Sequence, residues 1–236
     1  MKSIAGKNIS NSFARKTRVT LDDDSGGSTL VWNPDAEPGE LGTVGWDVLS
    51  GADTVLAADR ISEGLLSIID DPPSLFHRPE AELLCADLLV AARRGGYPLQ
   101  AVLEWVGARD LAPAHGLLAD TGDGSPADDI TWFRRTSATE QRGVWKILAR
   151  ALDPLLDPRL LANLQPSMES THLLGVLRTL FTHGGKPIQR PRQLLVVAEP
   201  HTRGVAAALV DQLLWAGYEQ GVRVDTRPAS GPHDVR

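Results

Sequence analysis

The chain has a single cysteine, Cys85, among its 236 residues. One thiol excludes an internal disulfide and a zinc site built on cysteines. Cys85 lies among Leu83, Leu84, Leu88 and Leu89, so it reads as a buried, inert thiol suited to a reducing compartment. Long apolar runs are also missing. A helical membrane span needs about 20 consecutive apolar residues, and no stretch approaches that length. The start shows no secretory hydrophobic segment. Residues 1–20 carry Lys2, Lys7, Arg15, Lys16 and Arg18 without an acid and read as a solvated arm. An excess of positive charge is lacking too. The formal net charge is -6, which leaves any DNA contact to a local basic patch.

Catalytic signatures are absent in the same way. No phosphate loop of the form Gly-x-x-x-x-Gly-Lys-Ser/Thr is present. Gly185-Lys186 runs into Pro187, which removes a backbone N–H that a phosphate cradle needs. Leu194 to Glu199 has the look of a hydrophobic strand ending in an Asp-Glu pair, but Ala198 stands where the magnesium-holding Asp would be. His77, His115, His172, His183, His201 and His233 form no H-x-x-x-H pair, and His172 and His183 are three helical turns apart. Asp22-Asp23-Asp24 lacks the spacing of a calcium loop. Asp70-Asp71 and Asp128-Asp129 fall in expected turns. The reading is therefore no catalytic, metal or cofactor-binding residue and no cofactor.

Apolar residues make up 42% of the chain, enough to fill a core. Residues 1–52 are polar and turn-rich, with short strands expected at Arg18–Leu21 and Ser28–Trp32. From residue 53 the period becomes helical. Asp53 or Thr54 can cap a helix with Leu56, Ile61, Leu65, Ile68 and Ile69 on its apolar stripe. Pro79 starts a second, with Leu83, Leu84, Leu88 and Ala91 inward and Gly95-Gly96 as its stop. Pro98 starts a third, a short helix covers 111–119, and 120–129 reads as a loop. Ser137 and Glu140 form a capping box ahead of Val144, Ile147, Leu148, Ala151 and Leu152. A further helix is expected at 169–182. Gln193–Ala198 suits a buried strand, 203–219 an amphipathic helix, and the last dozen residues look disordered.

These segments predict a mainly α fold with short flanking β-strands, a helical domain inserted into an α/β core. The divisions are 1–52 (polar arm and strands), 53–185 (helical domain), 186–222 (strand and helix returning to the core) and 223–236 (tail). Two basic pairs stand out: Arg93-Arg94 at a helix end and Arg134-Arg135 before the capping box. The first complements the C-terminal dipole of its helix, and either is placed to meet phosphates. Of the six tryptophans, Trp105 and Trp145 fall beside apolar stripes and read as core. Trp32, Trp46 and Trp132 lie near turns and suit either packing or an interface.

Several stretches resemble one family. Trp32-Asn33-Pro34 followed by Gly45 to Gly51 resembles the turn at which TraG/TraD-type coupling ATPases of conjugation and type IV secretion leave the nucleotide-binding core for an all-helical insertion. Ala57 to Val106 resembles the first half of that insertion, Trp132 to Pro158 its second half, and Leu194 to Gln220 the re-entry strand and helix. The resemblance implies the helical insertion with flanking pieces of the core, as a fragment, a split subunit or a decayed copy, without the family's phosphate loop or its Asp-Glu strand, so the ATPase activity does not carry over. It implies a cytoplasmic substrate-recognition role toward a protein substrate or a relaxase–DNA complex, with oligomerisation through a parent ATPase ring. Arg93, Arg94, Arg134, Arg135 and Trp132 are the expected contact residues. The competing expectation is a free-standing helical adaptor whose end strands form a small sheet of their own. If the core is incomplete, the strand at 193–198 is expected to have unpaired edges.

Overall fold

Strands from both ends of the chain meet in one sheet. The computed structural model describes residues 16–21, 29–34, 45–120, 124–164, 193–219 and 224–228. Within them lie β1 (Lys16–Leu21), β2 (Thr29–Trp32), β3 (Gln193–Val197) and β4 (Val224–Pro228), in the order β2-β3-β1-β4. β2 runs parallel to β3, with Thr29 opposite Gln193. β1 is antiparallel to both β3 and β4, with Val19 between Leu194 and Thr226. β3 is thus paired on both sides, which overturns the expectation of unpaired edges there. Its period of two buries Leu194, Val196 and Ala198 and leaves Leu195 and Val197 half-buried.

Most of the helices lie between β2 and β3 in sequence, and the fold is mainly helical. α1 (Val55–Leu66) is capped by the Thr54 hydroxyl, which accepts from Ala57 N–H at 3.2 Å. Ile61 and Leu65 are buried, but Leu56 is exposed. Five residues separate Leu56 from Ile61, which turns it about 140° away from the core stripe. The short α2 (Pro72–Leu75) leads into α3 (Arg78–Gly95), with Pro79 in its first turn and Gly96 as a left-handed C-cap at φ 67°. α4 (Leu99–Ala108) and α5 (Ala112–Asp120) follow.

α6 (Gly124–Arg135) begins inside the segment expected to be a loop. Ser125, Pro126, Asp128 and Asp129 are turn formers, but they are also the residues a helix start favours. Pro126 sits in the first turn, where its missing N–H costs nothing. α7 (Ala138–Leu152) carries the full capping box between Ser137 and Glu140. α8 (Pro158–Leu164) starts after Asp157, whose carboxylate accepts from Arg159 N–H at 2.8 Å. The chain then returns through β3 to α9 (Arg203–Glu219), and β4 closes the sheet. β4 replaces the start of the disordered tail expected from residue 223: a Pro-containing segment forms a strand because β1 supplies its partner. The helix expected at 169–182, with His172 and His183, lies outside the described residues.

Two devices fasten the helical region to the sheet. Asn163 of α8 donates to the Pro34 carbonyl at 2.9 Å, and its own carbonyl accepts Trp46 N–H at 3.1 Å. Both ends of the segment that leaves β2 are thereby held. Trp46 then buries its ring edge-on against Trp32, with centroids 6.2 Å apart, and donates Nε1–H to Gln212 Oε1 of α9 at 2.6 Å. Trp32 and Trp46 are fully buried, so both serve packing rather than an interface. The second device is the crossing of α1 over α9, where backbones approach through Gly64 and Gly204.

Candidate interaction surface

Trp132 projects from the last turn of α6 with 54% of its surface exposed. Its neighbour Phe133 points the other way, buried edge-on against Trp145 of α7, with centroids 5.7 Å apart. Helical geometry sets the two apart by about 100°. Arg134 and Arg135 follow, both exposed, with Arg135 three residues on from Trp132 and so on the same side of the helix. The corner beneath them is well held. Gln141 Nε2 donates to the carbonyls of Phe133, Arg134 and Thr136 at 3.3, 3.2 and 3.0 Å. The Thr136 hydroxyl donates to the Phe133 carbonyl at 2.8 Å. The capping box of α7 follows at once, and the Ser137 hydrogen bonds hold the exposed Glu140 carboxyl below the usual range. An aromatic face and two cations therefore sit on a fixed helix end.

The other basic pair is placed differently. Arg93 Nε is 2.8 Å from Asp53 Oδ1, a half-exposed ion pair that ties the end of α3 to the approach to α1. Arg94 is half-buried, with Nη1 enclosed. Arg93 thus has a structural partner, whereas Trp132, Arg134 and Arg135 are exposed at the end of α6.

Sequence reading missed a set of acids. Asp87 of α3 is buried within the apolar run Leu84 to Val90 and carries two carboxylate oxygens without hydrogen-bond partners. Asp59 of α1 and Asp129 of α6 act on it from two neighbouring helices. Burial, then these two charges, push the Asp87 carboxyl up to about 8. Burial also raises Asp59, Glu63 and Asp211. The available signal was a lone Asp on an otherwise apolar helix face. Among the described residues, no group of three or more His, Cys, Asp or Glu side chains is set to hold a metal ion. Burial pushes the Cys85 thiol up to about 12, so it is the inert thiol its surroundings suggested.

The end of β3 bears on nucleotide chemistry. Ala198 is buried, and Glu199 caps the short turn Pro200–Thr202 in a reciprocal pair with Thr202. The Thr202 hydroxyl accepts from Glu199 N–H at 3.0 Å. The acid at this strand end is thus used in holding the turn that starts α9. Among the described residues, no helix is long and apolar enough to cross a membrane. Compared with family models, curated proteins and solved structures, the chain matches none.

Proposed function

We propose that the chain is a substrate-recognition helical domain of a conjugation or type IV secretion coupling protein, without catalysis of its own. The observation that carries this reading is topological. The chain leaves the sheet after β2 and re-enters it at β3, which is the adjacent parallel strand. A helical domain placed between neighbouring strands is the arrangement expected of an insertion in an α/β core. The fixed corner bearing Trp132, Arg134 and Arg135 is its contact surface, toward a protein substrate or a relaxase–DNA complex at the cytoplasmic face of the membrane. The side chains there suit stacking on a base or peptide group and pairing with phosphates or carboxylates. A second reading, a free-standing helical adaptor, is favoured by one observation: strands from both ends of the chain complete a sheet together. Neighbouring open reading frames separate the two, because the first requires a phosphate loop and an Asp-Glu strand encoded nearby.

The contact surface is tested by fluorescence anisotropy with a labelled single-stranded oligonucleotide over a range of salt. Weak, salt-sensitive binding is expected. Replacing Arg134 and Arg135 together by Ala is expected to lower the salt slope by about two. Trp132→Ala is expected to weaken binding by about 1–3 kcal/mol through lost stacking. Oligonucleotide binding that survives all three changes would remove this corner from the account.

A further inference from the structure

Asp87 stands in the middle of α3 with 1% of its surface exposed, and neither carboxylate oxygen has a hydrogen-bond partner. An ionised carboxylate is far costlier to bury in this way than a neutral acid. The charges acting on it come from two packed helices and are both negative: Asp59 from α1 and Asp129 from α6. Other polar groups on α3 and α5 have partners of their own. On α3 itself, Glu82 is paired with Arg78 at 2.6 Å, and the Cys85 thiol bonds Ser62. Arg94 lies two turns further along α3. On α5, His115 Nε2 lies 3.1 Å from the Thr131 hydroxyl of α6. Asp59 faces Glu82 as well as Asp129, so its surroundings are acidic too. A metal ion would resolve the charge, but these carboxylates do not form a ligand group for one. A proton resolves it without any ligand.

We propose that Asp59, Asp87 and Asp129 form a protonation latch at the junction of α1, α3 and α6. With a proton on Asp87 the three helices close, and its loss sets three carboxylates against one another and loosens α6. The direction of the effect follows from linkage. In the unfolded chain Asp87 titrates near its ordinary value of about 3.9, whereas burial keeps its proton in the folded chain up to about 8. Between these limits the folded state binds the extra proton, so stability falls as pH rises. Stability is greatest below the lower limit, the folded chain keeps the latch closed up to the upper one, and the whole penalty is present above it. One such proton makes the folding equilibrium constant fall about tenfold per pH unit.

The test is urea unfolding of the full chain from about pH 5 to about pH 9, with amide hydrogen exchange in α6 as a second readout. The wild type is expected to lose stability across this range. Its α6 amides are expected to exchange faster above the upper limit than the intrinsic pH effect accounts for. Asp87→Asn is expected to remove the tenfold-per-unit fall. Asp129→Asn is expected to keep the fall but end it at lower pH, because one repelling charge is gone. A flat wild-type profile would overturn the latch, as would an unchanged slope in Asp87→Asn. Should Asp87→Asn not fold, the Asp129→Asn profile decides: a profile superimposable on wild type overturns the proposal.

Discussion

Gly64→Ala is expected to destabilise the protein by about 1–2 kcal/mol, and Gly64→Leu by about 3 kcal/mol or more. The first sign is the reverse of helix propensity, which favours Ala over Gly by about 1 kcal/mol in a helix interior. Gly64 is buried in α1 at the point where that helix crosses α9. A Cβ there would stand 2.5 Å from Ala208 N. The obstacle is backbone, so no side-chain rotation relieves it and the two helices must separate. The approach is reciprocal, since a Cβ on Gly204 would stand 2.5 Å from the Leu65 carbonyl oxygen. Gly116 is the internal control. It is exposed in α5 with nothing within 4 Å of the added Cβ, so Gly116→Ala is expected to stabilise by up to about 1 kcal/mol. Urea unfolding of the two variants checks the opposite signs. A stabilised Gly64→Ala would mean that α1 and α9 do not meet as described, and the tie between helical region and sheet would fail with them.

Trp46→Ala is expected to cost about 4 kcal/mol or more. Truncating a buried aromatic costs about 3–5 kcal/mol, and the loss also strips Gln212 Oε1 of its buried donor at 2.6 Å. Trp46→Phe separates the two contributions: it keeps most of the ring and removes only the N–H, for about 1–3 kcal/mol. Trp32 should respond as well, because its ring packs edge-on against Trp46. Chemical denaturation with near-ultraviolet circular dichroism measures both the free energy and the loss of the indole pair. A Trp46→Phe variant as stable as wild type would remove the Gln212 bond from the account.

Elements with local signals were legible in the sequence. Thr54, Pro79 and the Ser137–Glu140 box mark helix starts through bonds made within a few residues. The helix at 203–219 shows an amphipathic period, and the strand at 193–197 is a compact apolar run. What was missed depends on partners far along the chain or on ambiguous residue types. β4 is a strand because β1 pairs with it, although a segment ending in Pro228 reads as a tail. Residues 124–129 mix Gly, Ser, Pro and Asp, which serve turns and helix starts alike, and only packing on α5 and α3 decides. α8 starts at Asp157-Pro158, a pair that serves turns and helix starts alike. Of the candidate contact residues, Trp132 and Arg135 share one side of the last turn of α6, and Arg134 is exposed on the same turn. Arg93 is paired with Asp53, forty residues earlier, a partnership no local pattern shows. The acids around Asp87 were invisible for the same reason, being brought together from three helices.

The central claim is recognition without nucleotide chemistry, and equilibrium binding of labelled ATP with magnesium to the purified chain tests it most directly. The account predicts no saturable binding, because the acid after β3 is engaged with Thr202 and no phosphate loop is present in the sequence. Stoichiometric binding with a dissociation constant near micromolar, worth about 8 kcal/mol, would require a nucleotide site that this account does not contain and would contradict it.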